Sequence, residues 1–424
     1  MGRNRCRVPW EYRNQNPEAF PHRCQQCRAQ RRFRLENDMR NHERDKHGTL
    51  SQYSVGSLIN ATYRLRIGED VKSESPSHSV LYSRFSTSTF GSSGATSYSS
   101  YNFPMASPSI PEMFNWTKDT LMQNFQDKIE PNTEFLQKCN ESVDTLVRHL
   151  HNIGRHNSKY QPTEVVKSGS LSKGTAVKDK SDIDLVVYMN NDGTNIESQR
   201  IKAVKYLEEY LKLHDKCKID GKTQAAVKVQ LRVDLTECMD VDVLPTFIYY
   251  DNPRQIYERM KYDYSFRETA SAALAPLQRD FVQSKCYGKP KIKQLIRLVK
   301  YWKRTCLEDG SSIRLPTSYP LELITMGEWE DAGKPGNFDM KQGLYHVMKA
   351  LQNYERIKRV WYDNYTEELT RSAGVCKGYY VIDPANPYNN VMTRCDEWDY
   401  VSTQVGKFLQ QGLFHGLIPR SDWQ

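Results

Sequence analysis

Between Lys167 and Val187 a Gly-Ser turn runs into two aspartates spaced two apart, and the second of them opens an apolar run. The turn is Lys167-Ser168-Gly169-Ser170-Leu171-Ser172-Lys173-Gly174-Thr175, and the acidic pair sits in Ser181-Asp182-Ile183-Asp184-Leu185. Glycine lets backbone N–H groups come close to phosphate oxygens, and a serine hydroxyl adds a further donor. Leu185-Val186-Val187-Tyr188-Met189 reads as a short buried strand. If both aspartates enter that strand, their carboxylates point to one side, because side chains two apart share a face. Two hard oxygen ligands held together are what Mg²⁺ needs. A third carboxylate should come from a neighbouring strand, and Val241-Asp242-Val243-Leu244, stopped by Pro245, supplies it. Asp182, Asp184 and Asp242 together could clamp two Mg²⁺ ions between a nucleophile and a leaving group. Asp240 lies on the same strand face as Asp242 and is its rival, with a supporting role as the default. An Asp-x-Asp pair alone is common in turns. The loop, the apolar strand and the second acidic strand make the pattern specific.

The 424 residues suggest two to four structural units. Residues 1–50 form a Cys/His-containing basic module, and residues 51–112 a flexible linker whose 68–108 stretch is rich in Ser, Thr, Tyr and Gly. Such a stretch buries too little apolar surface to offset chain entropy. Periodicity returns after Phe114. Leu136, Val143, Leu146 and Leu150 suit one helix face, and Val227, Val229, Leu231 and Val233 alternate with Lys228, Gln230 and Arg232 as in a half-buried strand. Beyond residue 275 the pattern is helical, with Leu295, Val299, Trp302 and Cys306 recurring at helical spacing. The expected class is α+β and bilobal: a mixed-sheet lobe over 113–270 carries the aspartates, and a helical lobe fills 271–424. No run of about 18 apolar residues implies a membrane span, and the start lacks the apolar stretch of a signal peptide.

The net charge is +9, and residues 1–48 supply +6 of it. A polyanion such as nucleic acid is the expected partner, with simple solubility as the bland alternative. Ten cysteines are scattered, and only Cys24 and Cys27 are close together. That usage points to a metal site in a reducing compartment, the cytoplasm or the nucleus. Cys24-x2-Cys27 followed by His42-x4-His47 offers two thiolates and two imidazoles, a closed tetrahedral Zn²⁺ set. The Cys27–His42 gap of fourteen residues exceeds the usual spacing of about twelve. Arg28, Arg31, Arg32 and Arg34 suit phosphate contacts. The competing reading is a basic tail with chance histidines.

Taken together, these motifs resemble the 2′-5′-oligoadenylate synthases, polymerase-β-like nucleotidyltransferases related to the cyclic GMP-AMP synthases. The resemblance covers residues 115–420. It rests on the loop, on Ser181–Val187 and on Asp242-Val243-Leu244-Pro245. In the helical part it rests on Leu277-Gln278-Arg279-Asp280-Phe281, Lys291–Trp302, Tyr319-Pro320-Leu321-Glu322-Leu323 and Ile382-Asp383-Pro384-Ala385-Asn386-Pro387. The resemblance implies an enzyme that joins ATP through 2′-5′ bonds, releases pyrophosphate and answers to double-stranded RNA in innate antiviral signalling. It implies that Asp182, Asp184 and Asp242 hold Mg²⁺ and that Ser170, Arg297 and Lys300 contact ATP. It also implies that Lys167, Arg279 and Lys291 meet duplex RNA. The chain departs from the family at Ser168, where a glycine is usual, and at Ser318, where a nucleotide-contacting glutamine is expected. The stretch between Arg279 and Lys291 is also lengthened. Two alternatives stay open: a cyclic or mixed oligonucleotide synthase, and a nucleic-acid-binding protein with a dead transferase domain. The complete aspartate set argues against the latter.

Overall fold

The strand carrying the acidic pair begins at Asp182 itself, not at Leu185, and this places both aspartates within the hydrogen-bonded ladder. The computed structural model describes residues 22–23, 32–33, 111–155, 157–178, 182–190, 195–247, 253–307 and 314–424. Backbone pairing joins His22–Arg23 to Arg32–Phe33. The expected zinc ligands Cys24, Cys27, His42 and His47, and the expected linker up to Ile110, lie outside the described residues.

A five-stranded mixed sheet is built from β1 (Pro162–Ser168), β2 (Asp182–Met189), β3 (Cys217–Lys222), β4 (Val227–Arg232) and β5 (Cys238–Phe247). Their order across the sheet is β1-β2-β5-β4-β3, with only the β2–β5 pair parallel. One face packs on α1 (Thr133–His151) and α2 (Ile196–Leu211): Ile183, Leu185, Val187, Val241 and Val243 meet Val143, Leu146, Leu150 and Leu207 in one core. Because side chains alternate, burying those residues turns Asp182, Asp184, Asp240 and Asp242 to the other face. Farther along β2 the acidic face closes over, as Val186 and Tyr188 pack with Ala273. The open part of that face is therefore confined to the aspartate end. The α1 helix starts cleanly, since Asn132 accepts from the Glu134 N–H at 2.8 Å.

Pro245 does not stop β5, which runs on to Phe247. The reason lies in the pairing: β4 leaves β5 at Val243, so from Leu244 onward β5 is paired only with β2. A proline is tolerated where one edge of the strand carries no ladder.

The second lobe is helical. It contains α3 (Pro253–Tyr262), α4 (Ala275–Lys285), α5 (Pro290–Cys306), α6 (Ser318–Asp331), α7 (Met340–Gln352) and α8 (Trp398–Leu409). Leu295, Val299, Trp302 and Cys306 all point into its core. So do Met113, Trp116, Leu121, Phe125 and Ile129. Trp116 stacks on Tyr301 with ring centroids 5.6 Å apart, and Phe114 lies 5.8 Å from Phe408. By packing, then, the stretch 113–129 belongs to the helical lobe, although it precedes the sheet in sequence.

Candidate active site

The loop after β1 is shaped by one residue. Gly169 sits at φ +79°, and a Cβ there would lie 2.8 Å from the Asp184 backbone nitrogen. Glycine is needed both for the left-handed conformation and for the close approach of two backbones. The approach brings Ser170 over β2, where its hydroxyl donates to the Asp182 carboxylate. One helical turn, Gly169–Lys173, then ends on Gly174 at φ +72°.

The register sets Asp182 opposite Asp240 and Asp184 opposite Asp242 across the β2–β5 pair. These four carboxylates line a cavity of about 220 Å³ together with Asp220 and Lys228. Five acids thus face one lysine. Burial pushes the Asp184 carboxyl up to about 7; the neighbouring Asp182 charge adds to this, and Lys173 opposes it. Burial also raises Asp242, with Lys228 opposing and the Asp182 and Asp240 charges adding. In this conformation the acids share a face without closing on one point: among the described residues no three His, Cys, Asp or Glu side chains form a ready-made metal cage. Oxygen donors on adjacent strands and excess negative charge nevertheless suit hard divalent cations. Asp182, Asp184 and Asp242 are the residues that would hold them, and Asp240 lies within the same cavity.

Behind the loop lies a buried ionic cluster. Glu322, on α6, accepts from Lys173 Nζ at 3.0 Å, from Lys300 Nζ at 2.9 Å and from Thr175 Oγ1 at 2.6 Å. The Lys173 ammonium also lies 4.3 Å from the centre of the Tyr319 ring, whose hydroxyl donates to Asp383 at 3.0 Å. Asp383 is fully buried and also accepts from Gln278 Nε2 at 2.6 Å, the Ala385 N–H at 2.9 Å and Asn389 Nδ2 at 3.0 Å. In the sequence, Lys173, Thr175, Tyr319, Glu322 and Asp383 stand inside recognisable motifs that by themselves give them no role. A single carboxylate within the apolar run Leu321-Glu322-Leu323-Ile324 was the available signal, since unpaired acids are rarely buried.

Lys300 and Arg297 do lie at the loop, but not as free cations. Lys300 Nζ donates to Thr175 O at 3.1 Å, while Arg297 donates to Ala176 O and Gly174 O, each at 2.9 Å. Ser318 opens α6, half-buried, next to Tyr319. Of the three residues expected to meet RNA, Lys167 and Arg279 are neighbours: Arg279 Nη1 donates to Lys167 O at 2.8 Å. Lys167 pairs with Asp144 at 2.5 Å, and Arg279 with Asp280 at 2.7 Å. Lys291 lies elsewhere, donating to Phe338 O at 2.5 Å.

With this geometry in view, comparison with known proteins is informative. A family model described as "Nucleotidyltransferase domain" matches residues 152–242, from just before β1 to the third aspartate. The chain carries a nucleotidyltransferase domain. A second model, "2'-5'-oligoadenylate synthetase 1, domain 2, C-terminus", matches residues 250–423. Mouse 2'-5'-oligoadenylate synthase 3 is 29% identical over 306 residues, covering 65% of this chain and 26% of that protein. The chain thus spans about a quarter of the length of that relative. Rat 2'-5'-oligoadenylate synthase 1A is 27% identical over 353 residues, 73% of this chain and 94% of that protein. A chain of the E. coli MS115-1 CdnC:HORMA-deltaN complex shares the fold, with a TM-score of 0.52, 22% identity and coverage of 69% of this chain and 88% of that one. The nucleotidyltransferase domain and the helical lobe together form the α+β, bilobal arrangement of the polymerase-β-like fold.

Proposed function

We propose that the protein is a 2′-5′-oligoadenylate synthase: it transfers adenylyl groups from ATP to a 2′-hydroxyl and releases pyrophosphate. The observation that carries this reading is the set of carboxylates on β2 and β5 facing the Gly169–Ser170 turn. The similarity of the helical lobe to the synthase C-terminal domain supports this class of chemistry. Two Mg²⁺ ions, when bound, would neutralise the carboxylates and polarise the α-phosphate of the adenylyl group that is transferred. Asp182 and Asp184 would hold them, and Asp242 would complete the site beside the acceptor hydroxyl. Ser170 would exchange its bond to Asp182 for one to a phosphate oxygen. Lys173 and Lys300 would face the charge that develops on the leaving pyrophosphate.

We further propose that double-stranded RNA activates this chemistry, as part of innate antiviral signalling in the cytoplasm or nucleus. The match at Lys167, Arg279 and Lys291 motivates this part of the proposal. The spacing of Cys24, Cys27, His42 and His47 supports one structural Zn²⁺.

Chromatography of products formed from each of the four nucleoside triphosphates tests the reaction. Linear 2′-5′ oligoadenylates from ATP alone are expected, and Asp184→Ala should abolish them. A cyclic product, or one that requires a second base, would replace this reading with that of a cyclic or mixed oligonucleotide synthase.

A further inference from the structure

We propose that Glu322 is a positioning residue for nucleotidyl transfer, holding Lys173 and Lys300 in one fixed arrangement where the donor triphosphate binds. The proposal rests on the reading above, in which a triphosphate is bound and cleaved at this site. Its basis is the convergence of two cations on one buried carboxylate. Lys173 comes from the end of the turn after β1, Lys300 from α5 and Glu322 from α6, so the three meet at the seam between the lobes. The Lys173, Lys300 and Glu322 side chains are 9%, 8% and 2% exposed.

A buried ionic cluster is a poor way to gain stability, because desolvation consumes most of the Coulombic attraction. Here two ammonium groups share one carboxylate, and Lys173 also acts on the Asp184 carboxyl beside it. Two cations held beside a phosphate-type turn suit an incoming anion. Each ammonium has three donors. Lys173 spends one on Glu322 and rests against the Tyr319 ring, and Lys300 spends its donors on Glu322 and Thr175. Lys173 retains capacity for a phosphate oxygen without leaving Glu322, whereas Lys300 would turn one of its two Thr175 donors to the phosphate while keeping Glu322. The carboxylate therefore fixes the direction of the two cations before substrate arrives, and preorganised charge of this kind stabilises a transition state without reorganisation. Its carboxyl is held down to about 2 by the two lysines against the opposing effect of burial, so it stays ionised across the neutral range. An amide cannot replace it: it has one acceptor oxygen, and its N–H groups would face an ammonium.

The test uses the full chain and measures pyrophosphate release from ATP, with melting temperature and active-site titration to correct for folded fraction. Glu322→Gln should lower kcat about 30-fold while leaving KM for ATP within about 3-fold, because the interaction lost is one made in the transition state. In a Lys173→Met background the same change should cost less than about 3-fold, since one of the cations it orients is gone. A full, multiplicative loss in that background overturns the proposal. So does a loss explained by the reduced folded fraction. A wild-type chain that releases no pyrophosphate from ATP overturns the underlying reading, and this inference with it.

Discussion

At the residue scale the site turns on Asp184. Its carboxyl stands at about 7, against an ordinary value of 3.8, because it is buried among like charges. A raised carboxyl favours folding while protonated. That contribution is complete below about pH 4 and is lost as pH rises through about 7. Divalent cations bind the ionised form, so they should restore more stability where that loss is complete. Thermal melting in chelator and in Mg²⁺ checks this: the gain on adding Mg²⁺ should be larger at pH 8 than at pH 6, and equal gains would contradict it. Much of this residue-level picture was legible in the sequence. Asp182, Asp184, Asp242, Gly169 and Ser170 announce themselves by spacing, because the chemistry needs them on one strand face and one turn. Glu322 did not, because its partners Lys173 and Thr175 lie 149 and 147 residues away, and no local periodicity encodes such a meeting. The expected zinc ligands gain no structural support, since they fall outside the described residues.

At the scale of elements, α5 shows where sequence reading runs short. Arg297 and Lys300 lie three apart on one face of a helix rich in cations, a pattern that a solvated basic surface would also show. The structure does something else with them: both reach the backbone carbonyls of the 174–176 loop. Arg297 is the brace that fixes that loop from behind. Arg297→Met removes two hydrogen bonds and leaves the Gly174 and Ala176 carbonyls without those donors. We expect destabilisation of about 2 kcal/mol and a raised KM for ATP, measured by denaturant melting and steady-state kinetics. Arg297→Lys should not restore the wild-type values, because one ammonium cannot reproduce a planar fork of donors. Strand β5 offers the converse lesson. Its apolar alternation was readable, but its continuation through Pro245 depended on β4 ending at Val243, which is a fact of pairing rather than of propensity.

At the scale of the whole molecule, the RNA proposal meets a surface that is already internally paired. Lys167, Arg279 and Lys291 each have a protein partner. Duplex RNA would have to compete for these groups, so activation should fall steeply with salt and depend little on RNA sequence. Two proteins separate the contributions: the full chain, and one starting at Pro111, which keeps the Glu112–Tyr301 contact. If duplex RNA stimulates both, the folded lobes hold the switch. If only the full chain responds at low RNA concentration, the basic N-terminal module acts as a capture device. Equal activity with and without RNA in both contradicts activation. Elemental analysis of the same two proteins should find about one zinc per chain in the longer one only, as expected of a closed four-ligand site. The early segment 113–129 bears on synthesis as well as on architecture. Met113, Trp116 and Phe125 leave the ribosome long before Trp302 and Phe408, the residues that share their core. Until then those apolar side chains lack most of the partners that bury them, while the intervening sheet can already assemble. The nascent chain therefore passes through a stage with a formed catalytic lobe and an exposed apolar helical segment, and that stage is where chaperones or aggregation would find it.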